Sequence, residues 1–186
     1  MASYRQPRQH TQTVVIHIET MKTLKNKIYF AGPLFSQAER DYNQKLCSQI
    51  ENIGFKVFLP QRDGAELEKP PYQEMNQLER NKVIFELDVK QVSDSDIFLF
   101  VLDGRVPDEG ACFELGIAYN QKIQNNSEKL IIGIHTDMRA SFINSKLNAM
   151  IEGAFDKILH SEQKLIDSLT EIQKTSYNNS SSYEKP

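Results

Sequence analysis

The chain has 186 residues, enough for one domain with a sizeable core and too few to make two domains the expectation. A net charge of -3, with Lys and Arg scattered and never gathered into a stripe, excludes the usual footprint of a nucleic-acid binder. No apolar run approaches ~18 residues, which excludes a spanning helix and a membrane partner.

The N-terminus is polar and contains a histidine, where a leader would have a basic segment followed by an apolar one. Cys47 and Cys112 lack metal-ligand spacing, so the expected setting is reducing and cytoplasmic. Residues 1–23 read as an N-terminal extension whose one ordered candidate is "TVVIHIE", an added edge strand or a sticky stretch.

A single domain is expected over residues 24–175. It opens with "NKIYFAGPLF", a buried strand from Lys27 to Phe30 running into a Gly-Pro turn. Ser36 to Ile53 has amphipathic helical spacing, with Ser36 and Glu39 in the positions of a capping box and Gly54 just past the end. "FKVFLP" is a second short strand. The loop "QRDGAELEKPPYQEMNQ" is long for a compact α/β domain, which makes it a candidate lid or substrate loop.

Asn76 to Val92 is helical, with Leu78, Val83, Phe85, Leu87 and Val92 as its apolar positions. "SDIFLFVLD" is the most apolar strand and is expected at the centre of the sheet. A helix from about Pro107 to Gln124, the strand "KLIIGIHT", and helices near Asn144 to Ala154 and Ser161 to Thr175 follow. Residues 176–186, "SYNNSSSYEKP", read as a disordered tail.

Alternating strands and helices predict a mostly parallel sheet covered on both faces, with working loops at the carboxyl ends of the strands. "AGPLF" with Gly32, "PQRDG" with Gln61, and "DGRVPDEG" each follow a strand, so they gather along one edge.

That edge carries the acids. In the helix after "DGRVP", Gly110 and Ala111 lie one turn before Glu114, leaving a hollow beside its carboxylate. On spacing alone Glu114 is as readily a solvated helix residue, but Phe113, Leu115, Ile117 and Ala118 narrow any solvated face. Asp108 is placed to cap this helix or to bind a ligand hydroxyl. Asp88 is equally a surface charge or a functional acid among apolar neighbours. Asp94 and Asp96 read as turn and capping residues, and Asp103 with Arg105 as a turn pair.

His10, His17, His135 and His160 are dispersed, so no metal is expected. The chain has no G-x-x-x-x-G-K-[ST], G-x-G-x-x-G or G-x-S-x-G, which removes the usual signals for nucleoside triphosphates, dinucleotides and serine hydrolysis. Carboxylates and aromatics without metal or cofactor suit glycosyl transfer, with one acid as nucleophile and another as proton donor.

"IYFAGPLF", "DVKQVSDSDIFLFVLDG", "PDEGACFELGIAY" and "NAMIEG", in that order over about Lys27 to Phe155, resemble the nucleoside 2-deoxyribosyltransferase family. The resemblance implies a flavodoxin-like (Rossmann-like), doubly wound, five-stranded fold. It also implies transfer of a 2-deoxyribosyl group between nucleobases through an ester on a glutamate, here Glu114.

By the same resemblance Asp108 and Asn148 hold the sugar 5'-hydroxyl, Asp88 protonates or orients the base, and Tyr29 and Phe35 are the aromatics near nucleophile and sugar. Gln61 is placed to contact the base, or lies in a merely hydrated loop. Met150 matches a position that closes the site from a neighbouring subunit, which implies a homo-oligomer acting on 2'-deoxyribonucleosides and free nucleobases.

The nearest alternative is an N-glycosidase acting on nucleosides or deoxynucleotides, with water in place of the acceptor base. Asp108 at the sugar end would repel a 5'-phosphate, which favours free nucleosides. An alternative of another class is a non-catalytic nucleotide-binding module with the same fold. The joint presence of Glu114, Asp88, Asp108 and Asn148 argues against it.

Overall fold

A computed structural model describes residues 26–65, 70–125, 127–137 and 147–181. Five strands, β1 (Lys27–Ala31), β2 (Lys56–Phe58), β3 (Ile97–Val101), β4 (Leu130–Ile134) and β5 (Lys157–Leu159), form one sheet. All neighbouring pairs are parallel, in the order β2-β1-β3-β4-β5. The expected doubly wound α/β sheet is therefore present and is parallel throughout.

Both sheet faces are buried, which explains why the strands are almost wholly apolar and do not alternate. Ile28, Phe30, Ile97, Leu99 and Val101 pack on one face against Leu46, Cys47 and Ile50 of α1 (Gln37–Asn52) and Leu165 and Leu169 of the last helix. Tyr29, Ala31, Phe98 and Phe100 point the other way. They meet Val92 of the helix preceding β3, and Ala111, Leu115 and Ala118 of the helix following it.

Helix boundaries follow from local chemistry. Ser36 and Glu39 form the expected capping box on α1, and Gly54 stands at a φ of 106° just past its C-cap. After β2 comes a short α2 (Pro60–Asp63), then a 3-10 turn at Tyr72–Glu74. Next is α3 (Gln77–Asp94), whose Asn76 and Glu79 form a second capping box. Asp108 caps α4 (Glu109–Gln124) by accepting a hydrogen bond from the Ala111 amide at 2.8 Å.

Several expectations need correction. Of the five apolar positions proposed for α3 only Val92 is buried; Leu78 is 79% and Phe85 53% exposed, because one side of α3 faces away from the sheet. The helix expected near Asn144 to Ala154 is reduced to α5 (Ala149–Glu152), residues 144–146 lying outside the described residues. The last helix, α6 (Glu162–Ser181), runs into the stretch read as a disordered tail. Asp103 accepts from the Thr136 amide and hydroxyl and from the Asp137 amide, joining the ends of β3 and β4 where a turn pair with Arg105 was expected. β5 has only three half-buried residues and no sequence signal of its own. "TVVIHIE" lies outside the described residues.

From β1 the chain crosses to β2 on one side and later to β3 on the other. The junction of β1 and β3 is thus the topological switch point, where open α/β sheets form a crevice beyond the carboxyl ends of their strands. Gly32, at a φ of +154°, sits here. A Cβ on it would come within 2.9 Å of the Val101 Cβ, so the close approach of the two strand ends requires glycine.

Candidate active site

Three side chains from three elements meet below this junction. β1 turns Tyr29 toward the α3 and α4 side of the sheet, fully buried and stacked between Phe58 and Phe98 at ring separations of 5.6 and 5.8 Å. Its hydroxyl donates a 2.7 Å hydrogen bond to Glu114 Oε1 from the second turn of α4. The same hydroxyl lies beside the Asp88 carboxyl of α3.

The electrostatics are unusual for three acids. Burial pushes Glu114 up to about 7; the Tyr29 hydrogen bond opposes this, and the charges of Asp88 and Asp108 add to it. Burial likewise pushes Asp88 up to about 6, against the Tyr29 hydroxyl. Tyr29 is driven far above the ordinary tyrosine range by burial and by the Glu114 and Asp88 charges, so its phenol stays protonated and remains a donor.

A groove of about 360 Å³ between α3 and α4 opens onto these carboxylates. α3 lends Asn81, Ile84, Phe85, Asp88 and Val89, and α4 lends Gly110, Phe113, Glu114 and Ile117. Each set repeats every three or four residues, the signature of one helix face. Phe85 and Phe113 approach within 6.0 Å across the groove.

The hollow expected beside Glu114 is present, with one change. Gly110 lines it, but Ala111 is 3% exposed and packs into the core with Leu115 and Ala118.

The other anticipated residues lie around the strand ends. Asp108 is at the head of α4, close enough for its charge to act on Glu114. Asn148 caps α5, accepting from the Met150 amide at 2.8 Å. Phe35 and Met150 are 76% and 84% exposed and touch none of the groove. Gln61 is engaged within the protein: its Nε2 donates to the Arg40 carbonyl, and its Oε1 accepts from the buried Asn43 amide. Arg62 pairs with Glu51 and Asp63.

Asn81, Ile84 and Val89 are not singled out by the sequence, and Phe113 and Ile117 enter there only as apolar neighbours of Glu114. Their helical spacing was visible, but nothing distinguishes a groove-lining face from a core-facing one until the helices are placed. No group of three or more His, Cys, Asp or Glu among the described residues could hold a metal.

A family model for nucleoside 2-deoxyribosyltransferases matches residues 28–167, which contain all three groups at the centre of the site. The chain belongs to the nucleoside 2-deoxyribosyltransferase family. A conserved protein from Enterococcus faecalis V583 is similar in structure, with a TM-score of 0.64 and 29% identity, over 78% of this chain and 98% of its own. A 2-deoxyribosyltransferase from Bacillus psychrosaccharolyticus shares the fold at a TM-score of 0.61 and 20% identity, over 77% of this chain and 95% of its own. No curated protein matches the chain by sequence. Within the nucleoside 2-deoxyribosyltransferase family fold, Glu114 and Asp88 occupy the inner end of a groove large enough for a small ligand.

Proposed function

We propose that the protein exchanges the base of 2'-deoxyribonucleosides through a covalent 2-deoxyribosyl ester on Glu114. The observation that carries this reading is the pairing of Glu114 with Tyr29 and Asp88 at one end of the groove, in a chain of this family.

In the first step a Glu114 carboxylate oxygen bonds to the anomeric carbon as the glycosidic C–N bond breaks and its electron pair leaves with the base nitrogen. Protonated Asp88 delivers its proton to the departing base. Positive charge grows on the sugar at the transition state, and an ionised Glu114 in a poorly solvated place stabilises it. In the second step a nitrogen of the incoming base attacks the same carbon, its proton passes to Asp88, and Glu114 is released. Two inversions at one carbon retain configuration overall.

Tyr29 holds the nucleophile by its hydrogen bond to Oε1, leaving the other carboxylate oxygen for attack. Asp108 at the head of α4 and Asn148 at the head of α5 serve the sugar hydroxyls. Gly32 and Gly110 keep the backbone close on either side, and Phe35 and Met150 cover the sugar when a second subunit docks. These roles are supported by family membership and by the position of each residue near the strand ends.

Incubation of deoxyadenosine with a second base tests the reading. New nucleoside is expected, with a mass increase of one deoxyribosyl unit on Glu114, and Glu114→Ala is expected to abolish both. Free sugar and base would mean hydrolysis by water in place of transfer, and unchanged turnover by Glu114→Ala would remove the mechanism.

A further inference from the structure

Transfer through an ester on Glu114 has a competitor. Once the first base has left, water in the groove can attack the anomeric carbon. A C–O bond to water forms, the C–O bond to Glu114 breaks, and the water proton passes to the carboxylate that Asp88 became when it gave up its own. The products are free 2-deoxyribose and regenerated enzyme, so transfer depends on keeping water from the ester while a base is admitted.

Helix geometry places one side chain between Glu114 and solvent. α4 turns about 100° per residue. Ala111, Leu115 and Ala118 face the core, Glu114 comes next around the helix, and Phe113 lies one further step round, away from the sheet. Phe113 is 59% exposed and leans on Phe85, which stands one turn before Asp88 on α3. The ring centroids are 6.0 Å apart with planes tilted by 45°, the arrangement of two rings in contact, which leaves no room for a base between them. The pair therefore bridges α3 and α4 as a wall over the outer side of the carboxylates. Ile84, Val89 and Ile117 continue the apolar lining. Water in such a space gives up hydrogen bonds that the walls do not return, whereas a flat base gains by burying its faces there.

We infer that the Phe85–Phe113 pair sets acceptor specificity, screening the Glu114 ester from water so that a nucleobase is taken in preference. This deepens the proposed transfer reaction and rests on it for the ester.

Two measurements test the inference. The first follows deoxyadenosine with hypoxanthine present and scores free 2-deoxyribose against new deoxyinosine. Phe85→Ala and Phe113→Ala are each expected to raise the ratio of free sugar to new nucleoside roughly tenfold. Phe113→Leu keeps an apolar side chain and raises it by less than about twofold. Leu78→Ala, at an exposed apolar residue of α3 outside the groove lining, leaves it unchanged. A merely structural defect slows both fluxes together and does not move the ratio. The second measurement needs no turnover: Glu114 is labelled by a water-soluble carbodiimide and an amine and read by mass spectrometry, with exposed Glu171 as internal reference. Labelling at Glu114 relative to Glu171 is expected to rise roughly tenfold in both alanine variants. An unchanged product ratio or unchanged labelling in both alanine variants overturns the inference. Transfer at the wild-type ratio in every variant sinks this inference alone. A wild type that forms no deoxyinosine, with labelling that still rises in the alanine variants, sinks the transfer reading and leaves the screening of Glu114 standing.

Discussion

At the residue scale the proposed transfer would depend on two carboxyl groups raised into the neutral range by burial, Glu114 to about 7 and Asp88 to about 6. Attack requires ionised Glu114, so the rate climbs as pH rises toward about 7. Departure of the base requires protonated Asp88, so the rate falls as pH rises past about 6. The form with both conditions met is a minority at every pH and is most populated between the two values. A bell-shaped kcat/KM profile with its top between about 6 and about 7 is expected. Asp88→Asn should slow transfer and erase the alkaline limb, because asparagine does not titrate. An alkaline limb that survives in Asp88→Asn assigns the proton to another group.

At the scale of elements, α3 and α4 do two jobs that conflict. Each buries only a narrow stripe against the sheet, Val92 from α3 and Ala111, Leu115 and Ala118 from α4, and spends the adjacent face on the groove. The end of α3 is secured instead by a buried cation. Lys129, 6% exposed, donates from Nζ to the Val92 and Ser95 carbonyls and to the Ser95 hydroxyl. It thereby satisfies acceptors that a helix terminus leaves open and sits at the negative end of the helix dipole. Burial lowers its pKa to about 8. Lys129→Met keeps the aliphatic stem and removes the donor. It should destabilise the fold by ~1–3 kcal/mol in urea denaturation, the cost of leaving buried acceptors unpaired. Unchanged stability would mean that water reaches those carbonyls.

At the scale of the whole molecule, the loops after β1 and β3 and the head of α5 carry large exposed apolar side chains. Phe35 is 76%, Val106 72% and Met150 84% exposed. In the proposed homo-oligomer these are side chains that a neighbouring subunit would cover. A homo-oligomer in which Met150 meets a neighbouring site predicts a sedimentation mass that is a multiple of 21.4 kDa. Met150→Glu should shift that mass toward the monomer and raise KM for the nucleoside, because burying a charge at an interface is costly. A wild-type monomer that transfers at full rate would refute the shared site.

The sequence by itself determined the first four strands and the longer helices in order, the Ser36–Glu39 capping box and the family, and it pointed to the acids at positions 88, 108 and 114 as candidates, because periodicity, caps and short motifs are local properties. It did not separate the face of α3 that meets the sheet from the face that lines the groove, since both repeat apolar residues at the same spacing. Leu78 and Phe85 were therefore read with Val92, although only Val92 is buried. Nor did it reveal that Gln61 is spent on Asn43 and Arg40 while Asn81 opens into the groove, or that Ala111 belongs to the core and Gly110 to the hollow. Those assignments depend on where two helices lie against one sheet. Burial and hydrogen-bond partners are set by residues distant in the chain, and only the assembled tertiary structure brings them within reach.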